Sequence, residues 1–355
     1  VIARQALFAL LVLAPTALAQ QPDHLRIATY NADLSRRGPG LLLRDILSGA
    51  DPQIAAVVST LANLNADILV LTDVDFDHDR VALSALADQL AKAGAPYPHR
   101  FAKRPNTGMA TGLDLDGDTR LSGPRDAQGF GYFSGQGGIA VLSRLPFDTA
   151  AFRDFSDFLW QDLPDNVIGD SLDDSEKAVL RLSTTAHWDL PVMLPDEGRL
   201  HLLIWHATPP VFDGPKDRNG RRNHDETAFW LALLDGTLPM AAPDGPFVIL
   251  GDANLDPVDG DGRNAAIRAL LADPRLQDPA PKGSHNRAEP DQNGDPALDT
   301  ALYDFGGLRV DFVLPSSDLR VAGSGVDWPK DAAPNAATLA RASRHRPVWV
   351  DIALP

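Results

Sequence analysis

Gly251-Asp252-Ala253-Asn254 sets a carboxylate and a carboxamide directly behind the apolar run Phe247-Val248-Ile249-Leu250. A carboxylate takes up protons and an amide both donates and accepts hydrogen bonds, so the pair suits work on a phosphate or an attacking water. Their spacing of two aims both side chains the same way if the backbone stays extended. An Asx turn that closes a strand is the competing reading of these four residues. The arrangement recurs along the chain. Asn31 and Asp33 follow residues 25–30, Asp73 and Asp75 follow residues 68–71, and His206 ends residues 200–206. Asp311 lies in residues 310–315, and His345 precedes residues 347–354. Turn chemistry alone does not require so many polar residues at predicted strand ends. The set holds oxygen donors and imidazoles but no cysteine, which favours Mg²⁺ or Mn²⁺, with Ca²⁺ as the alternative, over a structural zinc. The sequence contains no His-Glu-x-x-His helix, Gly-x-Ser-x-Gly elbow or Walker loop, which argues against a zinc protease, a serine hydrolase and a nucleotide-cradling loop.

The elements that must position these residues follow from periodicity. Residues 247–250 lack period-two alternation and read as a central strand covered on both faces. Asp51-Pro52 starts a helix that ends near Asn65, and a strand at 68–71 follows. Residues 77–94 form an amphipathic helix with Val81, Leu83, Leu86 and Leu90 on its apolar side and Gly94 as its stop. Further strands are predicted at 137–146, 178–183, 200–206, 310–315 and 347–354. Many strands with few helices between them, and no linker or repeat, predict one large α+β domain at 20–355.

Composition narrows the function. With 44% hydrophobic residues, 29 Pro and 28 Gly, the 355-residue chain can bury a sizeable core and carries long loops. Arg4, the apolar run 6–14 and Ala17-Leu18-Ala19 predict a signal peptide over 1–19, and hence a periplasmic or extracellular protein. Pro15 interrupts the run, which makes it short for a membrane anchor, and no later segment approaches a span. Without cysteine no disulfide staples the chain, so stability falls to the core and to bound metal. The formal net charge of -16 repels polyanions, so nucleic acid is permitted as a substrate but not as a tight, charge-driven partner. Nothing in the sequence sets an oligomeric state.

Seven ordered segments then carry a family resemblance: "TYNADL", "ADILVLTDVD", "GGIAVLSRLP", "IWHATPP", "GDANLDP", "LRVDFVLPSSDL" and "SRHRPVWVDI". Together they resemble the endonuclease/exonuclease/phosphatase superfamily over nearly the whole chain after the signal. The resemblance implies a four-layered α/β/β/α sandwich of two packed mixed sheets, with the site where the strand ends of the two sheets converge. It implies Asn31 and Asp33 in the metal and phosphate shell, and Asp73 as the principal metal carboxylate. By the same resemblance His206 looks like the donor to a phosphate oxygen, Asp252 like the group that orients or deprotonates the attacking water, and Asn254 like its hydrogen-bonding neighbour. Asp311 and His345 look like the carboxylate and imidazole pair beyond the phosphate. Two positions depart from the family pattern: Asp73 stands where Glu is usual, and Arg344 stands where an Asp usually precedes the final His. An arginine there suits bidentate clamping of a phosphate.

Three segments add expectations. The loop after His206 carries Lys216, Arg218, Arg221 and Arg222, and is expected to cap the site and enter a helix at Asp225-Glu226. Arg222 and Asn223 are its candidate phosphate contacts; the alternative is a surface loop balanced by Asp213, Asp217 and Asp225. The Gly- and Asp-rich insertion at 106–136 alternates Asp114, Asp116 and Asp118, but its glycine placement and lack of a closing Glu favour a solvated acidic loop over a calcium loop. His187, beside Trp188, reads as a packed core histidine rather than a second metal position. The expected activity is metal-dependent hydrolysis of phosphodiesters or phosphomonoesters by direct attack of water. The alternatives are an extracellular nuclease and a catalytically inactive sandwich that binds a partner.

Overall fold

The computed structural model describes residues 24–195, 197–285, 287 and 290–354. The signal-peptide expectation at 1–19 lies outside the described residues. In chain order the first half runs β1 (His24–Leu34), α1 (Leu41–Ser48), α2 (Pro52–Leu64), β2 (Ile68–Val74), α3 (Val81–Lys92), β3 (His99–Ala102), β4 (Gly138–Ser143), β5 (Arg153–Asp154) and α4 (Asp174–Lys177). The second half runs β6 (Ala186–Met193), β7 (Arg199–His206), α5 (Arg218–Leu234), β8 (Phe247–Asp252), α6 (Ala265–Ala272), β9 (Ala301–Tyr303), β10 (Gly306–Leu308), β11 (Asp311–Pro315), β12 (Val321–Val326), α7 (Ala336–Ala342) and β13 (Val348–Ala353).

Local chemistry sets the element ends. Asp51 accepts from the Gln53 and Ile54 amides at 2.8 and 3.0 Å, Pro52 occupies the first turn of α2, and Asn65 closes the helix in the left-handed conformation. In α3 the predicted apolar face holds for Leu83, Leu86 and Leu90, while Val81 at the helix start is exposed.

Two mixed sheets result. One has six strands in the order β12-β13-β1-β2-β4-β3, the other five in the order β11-β8-β7-β6-β5. The β1/β2 and β7/β8 pairs are parallel and their other neighbours antiparallel. Alternate residues of each central strand serve two cores. Val248 and Leu250 meet Ile27, Val70 and Val350 between the sheets, while Ile249 packs outward with Phe229, Trp230 and Ile267 of α5 and α6. On the other side Leu69 and Leu71 pack with Val57, Leu61 and Leu86 of α2 and α3. Both sheet faces are covered, so the strands read as unbroken apolar runs, and each fully buried aliphatic side chain contributes about 1.5–3 kcal/mol of transfer free energy. The predicted four-layered sandwich is the observed one.

Two elements differ from expectation. Residues 178–183 form no strand; only Arg181 makes an isolated bridge, to Leu159. The strand lies later, in β6, and contains Pro191. The Asp148 amide donates to the Pro191 carbonyl at 2.9 Å, so the proline presents its backbone to the outer edge rather than to β7. Its missing N–H therefore breaks no ladder bond. Helix α5 begins at Arg218, seven residues before the expected Asp225. Gly220 is tolerated in its first turn because a Cβ there would sit 1.9 Å from Asp217 Oδ1.

Candidate active site

Register places the central residues side by side. His206 of β7 is opposite Asp252 of β8, and Asp252 is opposite Asp311 of β11. Directly paired residues point to the same face, so the three side chains form a row across three strands. Gly251, with φ 148°, lets this row form, since a Cβ there would lie 1.9 Å from the Trp205 carbonyl oxygen. The glycine serves this close strand approach rather than the sharp exit its position suggests, because β8 continues through Asp252.

The other sheet supplies the facing residues. Asn31, near the end of β1, donates from Nδ2 to Asp252 Oδ2 at 2.8 Å, and its Oδ1 accepts the Asp33 amide at 3.2 Å. The Asn254 amide donates to Asp252 Oδ1 at 2.8 Å, and the Asn254 side chain donates to the Ala207 carbonyl at 2.9 Å. His206 Nε2 lies 3.5 Å from Asp252 Oδ2. Asp311 Oδ2 accepts from Thr300 Oγ1 and pairs with His345 Nδ1, both at 2.8 Å. Ser343 ties the two sides together, donating to the Asn31 carbonyl and accepting the His345 amide. Asp33, Asp73 and Asn254 all have positive φ, near 50°, a conformation that costs a non-glycine residue of order 1 kcal/mol and clusters at functional sites.

Burial sets the charges. It raises the pKa values of Asp252 and Asp311, each against the opposing pull of His345. Burial also raises Asp73, with His206 opposing and Asp33 adding to it. Desolvation pushes His206 down to about 4, so its imidazole is neutral at pH 7. The same burial works against charge on His345, yet the Asp311 carboxylate at its Nδ1 outweighs it and pushes the group up to about 9. The five-stranded sheet thus presents a neutral imidazole and a pair of carboxylates, and the segment leading into β13 of the other sheet brings a charged imidazole up to them. Tyr303 joins them, its hydroxyl pKa raised by burial and by Asp252 and Asp311.

A cleft of about 1470 Å³ opens over these residues, lined among others by Asn31, Asp73, His206, Asn254, Arg344 and His345. Its rim includes Thr107, Arg125, Gln128 and Phe130 of the 106–136 insertion. Among the described residues, ligand atoms of Asp252, Asp311 and His345 lie within 4.8 Å of one another and form a possible metal-binding group. Asp114, Asp116 and Asp118 form another, on the exposed insertion, where Asp114 accepts the Gly117 and Thr119 amides at 2.8 Å.

Several candidates take other roles. Arg222 is buried, with Nε donating to the Leu182 carbonyl at 2.9 Å and Nη2 to the Arg181 carbonyl. Asn223 is fully buried and donates to the Thr208 and Ala253 carbonyls, both at 2.7 Å. The donors of Asn223 are therefore occupied by the backbone, which corrects its expected phosphate contact to a brace beneath the site, whereas Arg222 is held by the backbone through Nε and Nη2 and still lines the cleft. Asp75 accepts the Gly137 and Arg36 amides at 3.0 and 2.9 Å and pins the exits of β1 and β2. His187 is the core histidine expected, with Nε2 at 2.8 Å from the Glu226 carbonyl and its ring against Phe229 and Trp230. Thr300, Tyr303, Ser343 and Gly137 were not legible as site residues. Gly137 alone carries a local cue, its place before β4, and a Cβ there would lie 2.7 Å from Asp73 Oδ1.

The profile of the Endonuclease/Exonuclease/phosphatase family matches residues 28–345. The chain belongs to that family. Its members are metal-dependent phosphoesterases, and the matched span runs from β1 to His345. Among solved structures, an endonuclease/exonuclease/phosphatase from Beutenbergia cavernae DSM 12333 is similar, with TM-score 0.55 at 19% identity, covering 94% of this chain and 72% of that one. A family protein from Leptotrichia buccalis C-1013-b aligns with TM-score 0.53 at 17% identity, over 93% of this chain and 100% of its own. At these identities the likeness carries the fold alone. No curated protein matches the sequence.

Proposed function

We propose that this protein is an exported, divalent-metal-dependent phosphoesterase that transfers the phosphoryl group of an ester directly to water. The observation that carries this reading is the row His206–Asp252–Asp311, with Asn31 reaching Asp252 from the opposite sheet. Arg4, the apolar run and Ala17-Leu18-Ala19 support export.

Asp252 is the base. Asn31 Nδ2 and the Asn254 amide hold its two oxygens, and burial makes it a stronger proton acceptor than an exposed carboxylate. His206, neutral at pH 7, presents an imidazole N–H to charge that develops on a phosphate oxygen. His345, oriented by Asp311 and charged, faces the cleft as a second donor. No side chain becomes phosphorylated in this scheme.

The donor chemistry fits a hard cation. Asp311 Oδ1 is buried without a partner, and Asp252 and Asp311 raise each other's cost of ionisation in a site that a cation would relieve. The family resemblance assigns Asp73, Asn31 and Asp33 as one donor set; ligand atoms of Asp252, Asp311 and His345 are close enough to be the other, which would require His345 to give up its proton to the cation's field. A bound Mg²⁺ or Mn²⁺ would supply neutralisation of charge on the phosphate oxygens.

The test is hydrolysis of bis-p-nitrophenyl phosphate, p-nitrophenyl phosphate and plasmid DNA by residues 20–355, each with Mg²⁺, Mn²⁺, Ca²⁺ or EDTA. Metal-dependent turnover that His206→Ala abolishes is the expected result. A folded protein silent on every substrate and metal would overturn the reading in favour of a binding-only sandwich.

A further inference from the structure

A second cavity, of about 470 Å³, adjoins the catalytic cleft and shares Asp33, Ser35 and Arg344 with it. Its charged lining is four arginines, Arg36, Arg341, Arg344 and Arg346, against the single carboxylate of Asp33. In a chain of formal net charge -16 such a local excess of positive charge is out of character.

The four guanidiniums are not equivalent. Arg36 is held by Asp45 at 3.1 Å and by Gln53 at 2.9 Å. Arg346 is buried, with Nη1 donating to the Ser343 and His345 carbonyls and Nε left without a partner. Arg341 and Arg344 are exposed, and among the described residues neither has a carboxylate within ion-pair distance; Arg344 lies over the Tyr303 ring at 5.7 Å. The walls are fixed. Gln53 Nε2 donates to the Asp33 carbonyl at 2.7 Å and to the Ala342 carbonyl at 3.1 Å, clamping the end of β1 to the end of α7. Ser343 adds its bond to the Asn31 carbonyl at 2.8 Å. Two unpaired guanidiniums on a rigid frame beside a reacting centre suit an anion, since planar forks bind phosphate bidentately and preorganisation removes ordering costs.

We propose that this cavity is a second anion subsite, and that the preferred substrate is a small ester carrying a second phosphate beside the scissile one. The inference rests on the phosphoesterase reading and extends it to a substrate class. The general acidity of the surface disfavours a long polyanion, whereas a compact bisphosphorylated molecule places both charges within the basic walls.

The test compares thymidine 5′-(p-nitrophenyl phosphate) with the same compound bearing a 3′-phosphate, since both release the same nitrophenol. A charge-assisted contact predicts that the second phosphate raises kcat/KM by about tenfold or more in the wild type. Arg341→Glu should bring the ratio of the two substrates to about one, and Arg341→Lys should keep part of it. A wild-type ratio near one, or a ratio that Arg341→Glu leaves intact, overturns the subsite. If neither compound is turned over, the result bears on the phosphoesterase reading and its substrate panel rather than on the subsite, and calorimetric binding of inorganic pyrophosphate decides the subsite separately. Binding weakened about tenfold or more by Arg341→Glu supports it, and equal binding overturns it.

Discussion

Asn223→Ala separates a brace from a substrate contact. The Asn223 side chain sits beneath the two strand ends that carry His206 and Asp252, and its Nδ2 bridges the Thr208 and Ala253 carbonyls at 2.7 Å each. Each such bond is worth about 0.5–1.5 kcal/mol net, and a buried carbonyl left unsatisfied costs about 1–3 kcal/mol. Ala253 is buried, whereas Thr208 borders the cleft, where water can replace the lost donor. The expected loss is therefore about 2–4 kcal/mol, mostly from the Ala253 side. Urea unfolding should show a lower midpoint at unchanged slope, and turnover should fall through kcat, because the two loops behind the catalytic side chains are no longer tied together. Asn223→Asp should be worse than Ala, since it turns a buried carboxylate towards two carbonyl oxygens. An Asn223→Ala protein with wild-type stability and a raised KM would refute this reasoning and restore Asn223 as a phosphate ligand.

Other expectations follow from buried groups and close contacts. Glu226 is fully buried, and burial pushes its carboxyl from 4.5 up to about 7 despite acceptor bonds from Thr184 and Thr208. A raised carboxyl binds its proton more tightly in the folded state, so its contribution is present below pH 4.5 and is lost as pH rises towards 7, by about 3 kcal/mol. Urea midpoints of Glu226→Gln and wild type, compared at pH 5 and pH 8, should move relative to each other in favour of Gln at the higher pH; a pH-independent difference rejects the assignment. Asp252→Ala should lower turnover by about 10²–10⁴ or more while leaving the thermal midpoint unchanged or raised, since it removes one of two mutually repelling buried carboxylates. An unaltered rate takes Asp252 out of the mechanism. Gly251→Ala forces a Cβ to 1.9 Å from the Trp205 carbonyl oxygen and should destabilise by about 3 kcal/mol or more, read as a lost or much lowered thermal midpoint. A midpoint within a few degrees of wild type would mean that β7 and β8 can separate there.

What was legible in the sequence shared one property: it was written in short-range pattern. Strands buried on both faces appear as apolar runs, and their ends announce themselves in Asn31, Asp73, His206 and Asp252. The expected start of α5 came seven residues too late because Gly214, Pro215 and Gly220 carry loop signals, and only the contact of Gly220 with Asp217 shows why a glycine belongs in the first turn. That shift turned Arg222 and Asn223 from loop residues into helix residues, Asn223 facing the backbone and Arg222 tied to it at the cleft wall. Pro191 concealed β6 for a related reason: whether a proline is harmless in a strand depends on which side its backbone faces, a property of the neighbouring chain. Thr300 and Ser343 serve the site through bonds to Asp311 and Asn31, partners 11 and 312 residues away, and no local pattern marks them.

The row His206–Asp252–Asp311 also bears on how the molecule matures. Its members come from strands joined only through long intervening segments, and each is aligned by register alone. A slip of one residue in β7 or β11 against β8 would turn His206 or Asp311 to the opposite face of the sheet. A chain collapsed with its helices formed but these strands out of step would therefore be silent rather than sluggish. Regained turnover during refolding would then act as a clock for the pairing of three distant strands, and it should trail the return of helical signal.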